Sequence, residues 1–216
     1  MNEPLFAPLH PPGRPRGERK PDLTRRAILE AAFNEIYRNG FQGTRLDNIL
    51  RATDLTKGAL YHHFPNKRAL GYAVVEEVIH GFIESLWLAP LRSAEDPLAK
   101  LVDTIQHVCD LVGEQLITLG CPLNNLAQEM SPLDEGFRER IDRVYRAWHD
   151  GIVAALEAAR RQGRLREDVD TDQAATFILA SLSGCVGMAK NAQSGLQLKR
   201  CNQGLIDYIQ TLRKQD

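Results

Sequence analysis

The chain reads as an all-α protein: a three-helix helix-turn-helix head followed by a larger helical body. Three observations carry this reading. Apolar residues recur three and four apart along almost the whole chain after Pro21, the spacing of one helix face. Strand-type alternation is absent, and clusters of β-branched residues are few. Breakers and turn residues sit where the periodic stretches stop, at Gly40, Asp54, Pro65, Gly120, Pro132 and Gly163.

Composition bounds the class. At 216 residues, with 43% hydrophobic and 25% charged side chains, the chain is long enough for one or two cores and ordinary for a soluble globular protein. Its apolar runs are too short to span a bilayer, and its N-terminus lacks the apolar core of a secretory signal, so no membrane partner and a cytoplasmic location are expected. Cys109, Cys121, Cys185 and Cys201 lie far apart with no paired-ligand spacing. That favours reduced thiols over zinc or a disulfide framework, and no metal or cofactor is expected. The net charge of −1 conceals an asymmetry. Residues 1–68 hold 12 Lys and Arg against 7 Asp and Glu, a net of +5, whereas residues 69–216 hold 15 against 21, a net of −6. A basic head on an acidic body points to a polyanion-binding segment joined to something with a different task.

Taken in order, residues 1–21 are proline-rich and aperiodic and read as a disordered basic arm. Its stretch "GRPRGERK" is either a solubilising tail or an arm that follows a phosphate backbone or enters a minor groove. Helix one runs from about Asp22 to Asn39 with Ile28, Leu29, Ala32, Phe33 and Ile36 as its stripe, and Gly40 stands just past its end. Thr44 and Asp47 look like a capping pair for a short helix two that ends near Thr53. Asp54 and Leu55 make the turn. Thr56 caps helix three, which Phe64-Pro65 stops, and Asn66 opens a helix reaching about Leu88.

Two short helices joined by a tight turn behind a supporting helix form a helix-turn-helix pattern, here at about residues 45–64. Helix three is the candidate recognition helix. Leu60 and Phe64 share its inner face, His62 lies opposite, and Tyr61 sits at the border. Lys57 opposes the positive end of the helix dipole, and Gly58 weakens the helix by about 1 kcal/mol relative to alanine. Both make sense if the helix enters a major groove, where small Gly58 and Ala59 permit close approach and Lys57 donates to guanine or phosphate. Tyr61 and His63 carry polar tips suited to phosphate oxygens, Lys67 lies in the first turn of the next helix, and Thr44 and Arg45 stand where flanking backbone would pass. A metal on His62 and His63 is disfavoured, since adjacent helical residues point about 100° apart.

The segment "TRRAILEAAFNEIYRNGFQGTRLDNILRATDLTKGALYHHFPNKRAL" resembles the DNA-binding domain of the TetR/AcrR family of bacterial repressors, closely over residues 22–68 and loosely in layout beyond. "NGFQGT", "LTKGALYHHF" and "NKRAL" at these spacings carry the resemblance. It implies a homodimer that binds a double-stranded DNA operator and releases it when a small-molecule effector binds the helical domain. Carried over by position, it implies base contacts from Lys57, Gly58, Ala59, Tyr61 and His62, and phosphate contacts from Thr44, Tyr61, His63 and Lys67. Asp54 stands where the family usually has glycine and still permits the left-handed turn. Asp47 stands where a basic residue is common and reads as a cap instead.

In the body, residues 69–216, helices are expected from Pro97 to about Leu119, over a short stretch within "GCPLNNLAQEM" that Pro132 ends, from Asp134 to about Gln162, from Asp172 to about Lys190, and from Leu196 to about Leu212. Small residues Ala180, Ser181, Ser183, Gly184 and Gly187, taken with Trp148, Ile152, Ala155 and Leu156, suggest a dimer seam, which the resemblance favours. An effector pocket is expected among Phe82, Leu86, Trp87, His107, Cys109, Leu111, Cys121, Asn125, Tyr145, Trp148 and Phe177. "GC-x-x-x-N-L-A-x-E" resembles a branch of the family that includes electrophile-sensing repressors of the NemR type, which marks Cys121 as a candidate redox or electrophile sensor. An enzyme is disfavoured: the chain has no glycine-rich phosphate loop, no His-x-x-x-His pair and no G-x-S-x-G elbow.

Overall fold

The computed structural model describes residues 20–214. The basic arm expected over residues 1–21 lies outside that range, except that Lys20 and Pro21 already belong to the first helix. Among the described residues the regular structure is helical, with one isolated bridge between Leu165 and Arg213. Helix α1 is Lys20–Gly43, α2 Leu46–Thr53 and α3 Lys57–His63. Helix α4 opens as Lys67–Ala73 and continues without a break to residue 92, through π-helical stretches at Val74–Ile79 and Glu84–Leu88. Then follow α5 (Pro97–Leu119), α6 (Pro122–Met130), α7 (Glu135–Arg161), α8 (Thr171–Ala192) and α9 (Gly195–Thr211). No described helix is long and apolar enough to cross a membrane.

The chain divides into two compact units rather than parting near residue 68. One takes in the described residues up to Gly81 together with Pro122–Asp142; the other takes in Phe82–Cys121 and the described residues from Arg143 onward. The first unit is built on α1. Its stripe of Ile28, Leu29, Ala32, Phe33 and Ile36 is buried with Ile49, Leu60, Phe64, Leu70 and Val74. Arg25 of α1 makes two hydrogen bonds to Glu77, at 2.5 and 2.6 Å, and its guanidinium lies 5.1 Å from the Phe64 ring centre. Gly40 leaves the helical path with φ 72° and ψ 167°, a conformation that glycine alone adopts freely. Beyond it, the backbone N–H groups of Phe41 and Gln42 both donate to the Glu129 carboxylate of α6 at 2.8 Å. A Cβ on Gly40 would stand 2.9 Å from that carboxylate.

The same unit carries a second polar anchor. Asp134, just before α7, accepts from the Tyr72 hydroxyl at 2.6 Å and from the Phe137 N–H at 3.0 Å, with Arg68 at 3.3 Å. The Tyr72 hydrogen bond foremost, aided by the Phe137 N–H and Arg68, outweighs partial burial and holds this carboxyl below its usual range.

The second unit packs α5 against a hairpin of α8 and α9. The hairpin turns at Gln193, in the left-handed region at φ 47°, and Ser194 caps α9 through the Gln197 N–H. Asp96 caps α5 through the Ala99 N–H and also receives Arg164 and Arg213 at 3.0 Å, which closes the C-terminal end onto the start of α5. Burial alone would raise the Asp96 carboxyl, but the Ala99 N–H and Arg213 prevail and hold it below the ordinary range.

Two expectations are corrected here. Cys185 and Cys201 form a disulfide, with Cα atoms 5.4 Å apart, rather than remaining as isolated thiols. Sixteen residues of linear separation become adjacency once the hairpin folds back on itself. Trp148, Ile152, Ala155 and Leu156 are buried within their own unit and leave nothing for a seam with a second copy. Among the described residues, the exposed large apolar side chains of this unit, Phe177, Met188 and Leu196, lie on α8 and α9.

Replacing Gly40 with alanine should destabilise the fold by about 1–2 kcal/mol from the left-handed conformation alone, and by more as Glu129 is displaced. Urea unfolding monitored by circular dichroism measures it. Asp96 and Asp134 titrate below their unfolded value of about 3.9, so each adds stability above that pH and loses it as pH falls through the lowered folded value. Stability against pH for Asp134→Asn should therefore show a shallower acid limb than for wild type.

Candidate nucleic-acid interface

The turn between α2 and α3 follows from local chemistry. Asp54 takes the left-handed conformation at φ 53° and its N–H closes α2 onto Leu50. Thr56, extended, then caps α3 by accepting the Ala59 N–H at 3.2 Å. Leu60 and Phe64 point inward at 1% and 3% exposure and fix the roll of α3 on its support. The opposite face is thereby set outward: Lys57, Gly58, Tyr61 and His62 are exposed, while Ala59 and His63 are half-buried at its edges.

Gly58 has an ordinary helical environment. A Cβ there would meet only the Thr56 hydroxyl, at 3.8 Å. Nothing within the fold requires a glycine at this position. Lys57 lies 3.5 Å from Asp47 of α2, both side chains well exposed, so this pairing is weak and easily exchanged for another anion. Asp47 is thus a partner of Lys57 across the turn and not the cap expected of it.

Thr44 and Arg45 also depart from expectation. Arg45, extended at φ −112°, is the cap residue of α2 and makes no side-chain cap bond; its N–H donates to Glu35 at 3.2 Å. Thr44 is 5% exposed, and its hydroxyl donates inward to the Gly40 carbonyl at 2.6 Å. It secures the kinked end of α1 and does not face outward, because the kink turns its side chain back on the helix it follows. Arg45 keeps an exposed side chain. Lys67 is half-buried: its ammonium donates to the Gln42 carbonyl at 3.1 Å and lies 5.0 Å from the Phe41 ring centre.

The residues expected to line an effector pocket separate into groups. Trp87 and Trp148 are buried with ring centres 4.9 Å apart, Phe82 is buried and Leu86 and Leu111 are half-buried. The Trp148 Nε1–H is buried without a hydrogen-bond partner. Tyr145 bonds to Ser183 through its hydroxyl, and burial foremost, with Cys121 nearby, raises its pKa. Asn125 belongs to the other compact unit. His107 is corrected: it lies on the exposed face of α5 with Asp103, Gln106 and Asp110. Phe177 is corrected too: it is 49% exposed and packs edge-on against Tyr208 of α9 at 4.6 Å. Cys109 faces an open groove between α5 and α9.

Two further residues act where sequence reading passed over them. Glu35 accepts from the Arg45 N–H and from Asn48 Nδ2, which fastens α2 to α1. Glu129 is the last residue of the quoted "GC-x-x-x-N-L-A-x-E" segment, and that was the one available signal for it.

A profile described as "Bacterial regulatory proteins, tetR family" matches residues 28–74, and one described as "Tetracyclin repressor-like, C-terminal domain" matches residues 97–205, half of the chain. The chain belongs to the TetR family. It is a DNA-binding transcriptional regulator, and proteins of this family are not enzymes. The transcriptional regulator AcuR of Cereibacter sphaeroides is 29% identical over 178 residues, covering 82% of this chain and 81% of its own. A TetR-family regulator from Cytophaga hutchinsonii has the same fold, with a TM-score of 0.82 at 22% identity over 93% of this chain and all of its own. Reduced NemR of Escherichia coli also shares the fold, with a TM-score of 0.77 at 23% identity over 89% of this chain and 98% of its own.

Gly58→Ala should stabilise the protein by about 0.5–1 kcal/mol, read as a higher urea midpoint, while weakening its hold on DNA.

Proposed function

We propose that the protein is a homodimeric repressor that grips a palindromic operator through α3 and lets go when a small molecule binds its helical body. The observation that carries this is the outward face of α3. Lys57, Gly58, Tyr61 and His62 stand there together, and the cost of Gly58 to the helix is one that nothing inside the chain offsets. Gly58 and Ala59 allow the helix axis to approach the bases. Lys57 and His62 read edges in the groove, Tyr61 and His63 reach phosphates, and Arg45 at the start of α2 holds the flanking strand. Lys67 serves from its position against Gln42, whereas Thr44 acts only by shaping the corner.

The pairing surface we assign is the open face of α8 with α9. Phe177 and Met188 are 49% and 54% exposed, and Gly184, Gly187 and Gly204 each face open space. Small residues between two large apolar ones permit close helix approach by a second copy. Two-fold symmetry then spaces the reading helices about one DNA turn, or slightly more, apart.

For the effector we favour a small aromatic or conjugated molecule bearing a hydrogen-bond acceptor, received by Trp87, Trp148 and Tyr145. The orphan Trp148 Nε1–H supports this, since a buried donor without a partner costs about 1–3 kcal/mol. Cys121, close to Tyr145, is the candidate point of covalent attack by an electrophile. If Cys121→Ser and wild type kept DNA equally after maleimide treatment, that sensor role would be lost.

In-vitro selection of duplex DNA by the purified protein, read by sequencing, tests the main reading. An enriched palindrome is expected. Lys57→Ala should then weaken binding to the enriched duplex by about 1–3 kcal/mol and lower the salt dependence of binding. No enrichment at low salt by folded protein would sink the reading.

A further inference from the structure

We propose that the Cys185–Cys201 disulfide is a reversible thiol–disulfide exchange site for low-molecular-weight thiols, and that its redox state sets how tightly the protein holds DNA. The second half rests on the operator-binding role proposed above.

The disulfide crosses the α8–α9 hairpin. Its two sulfurs are unequal in access: Cys185 is 1% exposed, while Cys201 is half-buried. A third sulfur lies with them. Cys109 of α5 packs against the cluster of Cys185, Ala189 and Leu198, as Cys201 also does. Its Sγ accepts from Asn202 Nδ2 at 2.8 Å. Cys109 and Asn202 also line an open groove of about 510 Å³ between α5 and α9, rimmed by Asp110, Glu114 and Lys199. Of the three sulfur-bearing residues Cys109 lines this space, which is large enough for a small thiol, and Leu198 and Asn202 of its wall flank Cys201 on α9.

A regulator of transcription works on chromosomal DNA, amid the cell's reducing thiols. A disulfide in that setting is more often sensing or catalytic than structural. The exchange is written as follows. A thiolate R–S⁻ attacks Sγ of Cys201, the less buried residue of the pair. A Cys201–S–S–R bond forms, and the bond to Cys185 breaks. Cys185 leaves as a thiolate and takes up a proton. A second R–S⁻ attacks the R-side sulfur, which releases R–S–S–R and the Cys201 thiolate, and this too is protonated. Two electrons pass from two thiols to the protein, and R–S–S–R drives the reverse. Burial and the neighbouring Asp110 raise the Cys109 thiol more than Asn202 lowers it, so it stays protonated and does not scramble the pair at neutral pH.

The consequence follows from place. The pinned hairpin carries Phe177, Gly184 and Met188, the face assigned above to pairing. Its turn also holds α5, through Gln193 Nε2 donating to the Ile117 carbonyl at 3.1 Å. Reduction frees α8 to shift on α9 while their apolar packing persists, and that alters the face two copies share.

The test equilibrates the whole protein in reduced or in oxidised glutathione, confirms folding by circular dichroism, then alkylates it in denaturant and counts labelled thiols by mass spectrometry. Two of the four cysteines, Cys109 and Cys121, should label after oxidation and all four after reduction. Affinity for the selected duplex should differ between the two forms by about fivefold or more. Cys185→Ser and Cys201→Ser should each abolish that difference, and Cys109→Ser should retain it. Four labelled thiols in both buffers would overturn the proposal, and so would equal affinity in wild type. The thiol count needs no DNA, so a failed selection removes the operator reading and the DNA half of this proposal together, while the exchange half is still decided by the labels.

Discussion

The reading head depends on how α1 ends. Gly40 departs from the helical path at φ 72°, just before the N–H groups of Phe41 and Gln42. Glu129, from a helix more than eighty residues further along, accepts both. Bonds to an ionised carboxylate are among the stronger ones a backbone can make, so the corner is firm. Other parts of the unit refer to it. Thr44 returns its hydroxyl to the Gly40 carbonyl and so sets where α2 begins. Lys67 donates to the Gln42 carbonyl and sets where α4 begins. The Phe41 ring packs on Phe137 at 4.5 Å, and Gly71 makes room for it: a Cβ there would lie 2.5 Å from that ring. A change in the position of α6 therefore reaches the start of α2, and through α2 and its turn it reaches α3.

Much of this unit was legible because its signals are local. The stripe of α1, the left-handed Asp54, the Thr56 and Asn66 caps and the inward pair Leu60 and Phe64 are each decided within a few residues of sequence. What escaped reading is decided by distant partners. Thr44 looks like a cap because it precedes a helix and has an acidic residue three places on; the kink at Gly40 gives its hydroxyl a nearer acceptor. Asp47 looks like the other half of a capping box until the turn brings Lys57 beside it. Glu35 carries no local mark, and Glu129 only its place at the end of the quoted segment, since each works on backbone or side chains of another helix. In the body, the candidate pocket was read from residue type, and type alone does not tell a buried Trp148 from an exposed Phe177 on another helix.

The cysteines show the same limit from the other side. Sequence spacing excludes a metal site built from close pairs, and it says little about two cysteines placed on consecutive helices. Once α8 and α9 fold back at Gln193, positions equidistant from the turn come face to face, and Cys185 and Cys201 are such a pair. A hairpin reading would have found them; a search for ligand spacings would not.

The glycines separate what the fold needs from what it does not. A Cβ on Gly71, Gly136 or Gly151 would collide with Phe41, Tyr72 or Leu88 at 2.2–2.5 Å, so these positions are closed by their own neighbours. Gly58 on α3 and Gly184, Gly187 and Gly204 on α8 and α9 have no such neighbour, with nothing nearer than 3.8 Å. Each weakens its helix, by up to about 1 kcal/mol relative to alanine in a helix interior, without return inside the chain. The two groups lie on different surfaces: the closed ones inside each unit, the open ones on the face of α3 and on the outer faces of the hairpin. At these four positions no atom of the chain occupies the space a side chain would fill. On the function proposed above, the α3 glycine would fit a groove that admits little more than a bare helix, and the hairpin glycines a partner helix at close range. One surface would then take DNA and the other a second copy.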